Sequence, residues 1–170
     1  MGLFFPKAYE KTTYDIDFEK LYAAGYRGII FDIDNTLVEH GAPADARAIE
    51  LFDRLKALGF KICLVSNNKE PRVKSFNDEV KAFYIHKAGK PMRKGYIRAM
   101  EIMETDKTNT VSIGDQIFTD TVGANNAGVK SILVGKIARH EEIQIVLKRF
   151  LEFFVLLCYK ISGKSKKKFY

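Results

Sequence analysis

Asp32 and Asp34 stand two positions apart where the apolar run Ile29-Ile30-Phe31 ends, and Asn35 and Thr36 follow them directly. Side chains of an extended chain alternate, so residues two apart leave a strand in the same direction. Asp115 and Asp120 form a second acidic pair behind another apolar run, Thr110-Val111-Ser112-Ile113-Gly114. Carboxylates gathered from two strand ends suit a hard, oxygen-seeking cation: Asp32, Asp115 and the backbone carbonyl of Asp34 could hold one while it kept waters and one phosphate oxygen, as magnesium does. Two further strand ends offer anion-binding groups. Leu64-Val65-Ser66-Asn67-Asn68 presents a hydroxyl and amides at the start of a helix, where free N–H groups and the dipole favour phosphate. Lys87-Ala88-Gly89-Lys90-Pro91 places Lys90 where its charge could meet a phosphate oxygen or an aspartate. Taken singly, each has an ordinary structural use: Asp34 or Asn35 as a turn cap, Ser66 or Asn67 as a helix cap, Lys90 as a surface lysine.

The elements needed to gather these groups can be read from the same sequence. Strand-length apolar runs occur at Gly28–Ile33, Lys61–Ser66, Ala82–His86, Thr110–Gly114 and Ser131–Val134. Amphipathic stretches of helix length lie between them, at Ala44–Leu58, Glu70–Asp78, Met92–Met103 and Thr119–Ala127. That alternation predicts a Rossmann-like α/β fold, an open parallel sheet of about five strands with helices on both faces. Ligands of such sheets bind beyond the carboxyl ends of the strands, which is where all four motifs fall. Gly59 and Gly128 stop helices, and Pro71 and Pro91 sit near helix starts.

With 170 residues the chain fits one domain. Residues 1–27 read as an N-terminal extension packing on a core of residues 28–140, and residues 141–170 as an apolar helix with a basic tail. The net charge of +7 is concentrated at the end, because Lys160, Lys164, Lys166, Lys167 and Lys168 lie beyond Tyr159; without them about +2 remains. A nucleic-acid binder would be expected to carry its basic residues in a stripe on the folded body, and none is evident. The start of the chain lacks the pattern of a secretory signal, no apolar run is long enough to span a bilayer, and the expected location is the cytoplasm. Cys63 and Cys158 have no metal or disulfide spacing and read as core thiols.

As a set, Asp32-Ile33-Asp34-Asn35-Thr36, Ser66, Lys90 and Gly114-Asp115 with Asp120 resemble the four motifs of the haloacid dehalogenase superfamily. Tyr14-Asp15-Ile16-Asp17, Val65-Ser66-Asn67-Asn68, Lys90-Pro91 and Gly114-Asp115-Gln116-Ile117-Phe118-Thr119-Asp120 resemble more closely the YqeG-like phosphatases of subfamily IIIA, relatives of the mitochondrial phosphatidylglycerophosphate phosphatases. The resemblance implies a magnesium-dependent phosphomonoester hydrolase. It makes Asp32 the nucleophile that forms an aspartyl phosphate and Asp34 the acid and base. Ser66, Asn67 and Lys90 become the phosphate-binding groups, Asp32, Asp115 and the Asp34 carbonyl the metal ligands, and Asp120 a supporting acid.

Members acting on small metabolites commonly carry a cap after the first motif or between the second and third, and neither interval has room for one here. An open site admits a phosphate displayed on a large molecule or a membrane, and a homo-oligomer could supply cover. The expected substrates are phosphatidylglycerophosphate or another large or surface-displayed phosphomonoester; soluble metabolites and nucleic-acid ends stay open. So does a binding or regulatory role, for example in ribosome assembly, with phosphatase activity secondary. Ile143, Val146, Leu147, Phe150, Phe154, Leu157 and Ile161 recur at helical spacing before the lysines. That stripe suits peripheral contact with an anionic membrane, and equally packing on the sheet or on a second subunit.

Overall fold

The computed structural model describes residues 2–137, 155–159 and 161. Its centre is one parallel sheet. The strands are β1 (Ala8–Glu10), β2 (Gly28–Phe31), β3 (Lys61–Val65), β4 (Phe83–Ile85), β5 (Thr110–Gly114) and β6 (Lys130–Val134). They lie in the order β1-β6-β5-β2-β3-β4, and every pairing is parallel. From β2 the chain builds outward through β3 and β4, then crosses back to lay β5 on the other side of β2. The strand order therefore reverses between β2 and β5, which opens a crevice at their carboxyl ends.

The α-helices between successive strands are α1 (Phe18–Ala23), α2 (Ala46–Ala57), α3 (Glu70–Val80), α4 (Lys94–Met103) and α5 (Val122–Asn126). Alternation along the strands divides the core between the two faces of the sheet. Ile29 and Phe31 of β2, with Ile62 and Leu64 of β3, pack with Phe18, Leu21, Phe52, Leu55, Val73 and Phe76 of α1, α2 and α3. Ile30, Cys63 and Val65 point the other way, onto Tyr96, Ala99, Met100 and Met103 of α4 and Ala124 of α5. Burial pushes the Cys63 thiol up to about 12, as suits a core thiol with no chemistry of its own. Local signals set the ends of α2: Asp45 accepts from Ala48 N at 2.7 Å, and Gly59, at φ +95°, turns the chain out of the helix.

The described residues form six strands rather than about five, because the N-terminal extension supplies β1. Ala8, Tyr9 and Glu10 pair with Ile132, Leu133 and Val134. The stretch predicted as a helix from Thr119 begins instead with a π-helical turn, Ile117–Thr121, and becomes α-helical only at Val122. Between β2 and α2, and between β3 and β4 apart from α3, no further helix or strand intervenes.

Residues 155–159 are helical and lie against the N-terminal segment: Tyr159 is buried, its ring 5.7 Å from that of Phe5. That contact turns the neighbouring residues outward, so Cys158, expected in the core, is exposed, as are Leu157 and Ile161. Ile143, Val146, Leu147, Phe150, Phe154 and the tail lysines lie outside the described residues. Among those described, no helix is long and apolar enough to cross a membrane.

Candidate active site

Asp32 continues β2 by one residue, its N–H donating to Ile113 O of β5 at 3.0 Å. The chain then folds into a tight loop in which Leu37 N donates to Ile33 O and Asn35 N to Val38 O, at 2.9 and 2.7 Å. Asn35 adopts φ +62°, a left-handed conformation that asparagine tolerates better than most residues. The N-terminal segment braces this loop from outside. Thr13 Oγ1 donates to Thr36 O and Tyr14 Oη to Leu37 O, both at 2.7 Å. Arg47 lies over the Tyr14 ring at 3.8 Å.

Lys90 ties two of the strand ends together. Its Nζ lies 2.5 Å from Asp32 Oδ1 and 2.7 Å from Asp120 Oδ1, and its side chain is only 5% exposed. Asn67, expected to bind phosphate, has its amide spent on placing Lys90: it accepts from Lys90 N at 2.7 Å and donates to Lys90 O at 3.1 Å. The Lys90–Pro91 peptide bond is cis. Ser66 is buried at the end of β3, and its Oγ accepts from Asn68 N at 3.1 Å.

Asp120 is delivered by the π-helical turn, which lets its Oδ2 accept from Gln116 N at 3.1 Å. Gly114 lies directly beneath, where a Cβ would collide with the Asp120 carboxylate. From below, Tyr96 Oη donates to Asp120 O at 3.2 Å, and the ring packs on Gly123. A Cβ at Gly123 would come within 2.5 Å of Tyr96 Cε2, and Tyr96 is fully buried with no room to retreat. Gly123→Ala is therefore expected to cost roughly 1–3 kcal/mol of stability through overpacking, read as a lower urea midpoint with an unchanged slope.

Asp32, Asp115 and Asp120 are all buried, with one carboxylate oxygen from each within 4.8 Å of the others. Thr36 Oγ1 lies 3.3 Å from Asp115 Oδ1. Burial pushes the Asp32 carboxyl up to about 6, against the pull of Lys90 and with Asp120 and Asp34 adding to the rise. For Lys90, burial opposes the charge, but Asp120 and Asp32 outweigh it and hold the ammonium well above its ordinary range. An all-oxygen, electron-rich cluster of this kind fits a hard divalent cation such as magnesium.

Asp34 is not a member of that cluster among the described residues. Its Oδ1 accepts from Gly41 N at 2.8 Å and from Arg72 Nη2 at 2.9 Å, and its Oδ2 from Asn68 Nδ2 at 2.5 Å. Sequence reasoning does not single out Arg72, and it offers the Asn68 amide to an anion rather than to Asp34. The available signal is Arg72 itself, a cation in the first turn of α3, where the helix dipole favours acids.

The HAD-hydrolase-like family model matches residues 87–146, a span that holds Lys90, Asp115 and Asp120. The chain is 41% identical over 161 residues to the protein named "Probable phosphatase YqeG" of Bacillus subtilis (strain 168), an alignment covering 94% of each. Among solved structures it is similar in fold to a haloacid dehalogenase-like hydrolase from Brucella suis 1330, with TM-score 0.53, 15% identity, and 69% of this chain and 91% of that one covered. It is likewise similar to CbbY from Rhodobacter sphaeroides, solved with xylulose-(1,5)bisphosphate, with TM-score 0.53, 15% identity, and 69% and 90% covered.

Proposed function

Because this chain belongs to the YqeG family of HAD-like phosphatases, we propose that it hydrolyses phosphomonoesters with magnesium and through a phosphoryl group carried on Asp32. The observation that carries the reading is the convergence of Asp32, Asp115 and Asp120 within 4.8 Å, with Lys90 bridging Asp32 and Asp120, at the crevice where the strand order reverses. In this reading residues 28–140 are the catalytic core, with 1–27 and 141–170 as its extensions.

Asp32 attacks phosphorus in line with the leaving oxygen. The bond to that oxygen breaks, and Asp34 gives it a proton. A water then loses a proton to Asp34 and attacks the phosphoryl group, which releases inorganic phosphate and restores Asp32. Phosphoryl transfer needs little from the protein beyond in-line placement and neutralised charge. Lys90 supplies charge next to the nucleophile, and the Ser66 hydroxyl, which accepts from Asn68 N and can still donate, forms the anion-binding side. Asp32 and Asp115, with the Asp34 carbonyl, would hold magnesium, and Asp120 supports them by fixing Lys90; the ion would offset negative charge on the transferring group.

The absence of an inserted element after β2 supports an open site and a large or surface-displayed substrate, phosphatidylglycerophosphate among them. The test is release of inorganic phosphate, with and without magnesium, from a panel that includes phosphatidylglycerophosphate, soluble sugar phosphates and nucleic-acid ends. No metal-dependent release from any of them would overturn the reading. Within it, Asp115→Ala is expected to raise the magnesium concentration for half-maximal rate more than Asp120→Ala does, which a metal titration of both variants checks. An unchanged requirement in Asp115→Ala would remove that residue from the metal site.

A further inference from the structure

Arg72 is an unusual arginine. It stands in the first turn of α3, where a positive charge meets the positive end of the helix dipole. Its side chain is only 18% exposed, its guanidinium lies 5.8 Å from the Phe76 ring centre one turn on, and its Nε is buried with no hydrogen-bond partner among the described residues. Burying a cation with a donor left unmet is costly unless one strong interaction compensates. Here that interaction is the 2.9 Å ion pair to Asp34 Oδ1, and Asn68 takes the other carboxylate oxygen at 2.5 Å. The three donors Gly41 N, Asn68 Nδ2 and Arg72 Nη2 leave Asp34 little freedom to rotate.

We propose that Arg72, with Asn68, is a positioning residue for the proton transfers of this phosphatase, fixing the Asp34 carboxyl where it can serve the leaving oxygen and then the attacking water. This rests on the mechanism proposed above. The arginine touches no reacting atom; it acts through Asp34. Misplacing a proton donor by about 1 Å can cost on the order of 10²-fold in rate. The penalty depends on the leaving group, because an alkoxide must be protonated as it departs and a nitrophenolate need not be.

The experiment compares the wild type with Arg72→Ala, Arg72→Lys and Asn68→Ala on two esters, an alkyl phosphomonoester (2-glycerol phosphate) and p-nitrophenyl phosphate, with magnesium saturating. For Arg72→Ala, kcat/KM on the alkyl ester is expected to fall by about 10–10²-fold. On the nitrophenyl ester kcat/KM should stay within about threefold while kcat falls, because water activation at the aspartyl phosphate is slowed for both esters. A burst of nitrophenol should then precede steady turnover. Asn68→Ala should show the same split, and Arg72→Lys should recover only part of the loss, since an ammonium restores charge but not the planar fork.

Equal losses of kcat/KM on both esters, in whichever of the Arg72→Ala and Asn68→Ala variants retains the wild-type unfolding transition, would overturn the proposal. So would alkyl-ester turnover that is unchanged or faster. Failure of the mechanism itself looks different: Asp32→Asn would stay active, or Asp34→Asn would lack the leaving-group split. If Asp34→Asn shows the split and the Arg72 and Asn68 variants do not, only the positioning role falls.

Discussion

Asp32→Asn is expected to abolish phosphate release, by at least about 10⁴-fold, a loss of the order seen when an enzyme's nucleophile is removed. The amide keeps the shape of the side chain and can still accept from Lys90 Nζ, which in the wild type lies 2.5 Å from Oδ1. Lys90 also keeps Asp120 at 2.7 Å, so the fold should persist. Stability gives an independent check on the buried charge. Burial, reinforced by Asp120 and Asp34, raises the Asp32 carboxyl from 3.8 to about 6 despite Lys90, so ionising it costs the folded state more than the unfolded one. The stability associated with its protonated form is present below about pH 4 and lost as the pH rises through about 6. In chelator-treated protein, Asp32→Asn should therefore gain on the wild type between pH 4 and 6, and the difference should level off above. Denaturant melts across that range read it directly, and phosphate release by the variant comparable to wild type would remove Asp32 from its assigned role.

Asp34→Asn should slow turnover by about 10²–10⁴-fold, the usual value of a placed acid and base, without removing the nucleophile. The substitution fits the site with one adjustment. The new side-chain oxygen can face Gly41 N and Arg72, and its amide nitrogen can face Asn68 if that amide flips to present oxygen. Both half-reactions need Asp34 when the leaving group is an alkoxide. With a nitrophenyl ester only the hydrolysis of the aspartyl phosphate is impaired, so phosphorylated Asp32 should accumulate. Intact-mass measurement on acid-quenched Asp34→Asn is the direct readout. If no phosphoryl adduct forms while nitrophenol is released, the covalent route is wrong and direct attack by water takes its place.

Period and punctuation carried much of the architecture in the sequence. The apolar runs from Gly28, Lys61, Thr110 and Ser131 could only be buried strands once helix-length amphipathic stretches lay between them, and a parallel sheet is what such a pattern permits. Asp32, Ser66, Lys90 and Asp115 could then be expected to gather, because each closes or follows a strand and parallel strands present their carboxyl ends on one side. Strand β1 was not legible: three residues, Ala-Tyr-Glu, have neither length nor β-branched composition, and only the free edge of β6 makes them a strand. The π-helical turn at Ile117–Thr121 was hidden for a related reason. Its pattern suits an α-helix, and it is the close seat of Asp120 on Gly114 and the Tyr96 hydroxyl beneath that accompany the wider turn.

The partners of the acidic residues lie beyond what local pattern can express. Asn67 turns its amide onto the backbone of Lys90, twenty-three residues away, and Asp34 meets an arginine thirty-eight residues on. Residue type and order along the chain determined which groups reach the crevice, since alternation and strand polarity are properties of the backbone. Which of them touch was decided by the packing of α3 and of the turn after β5 against the end of β2, because hydrogen bonds and ion pairs depend on distances that only the assembled layers set.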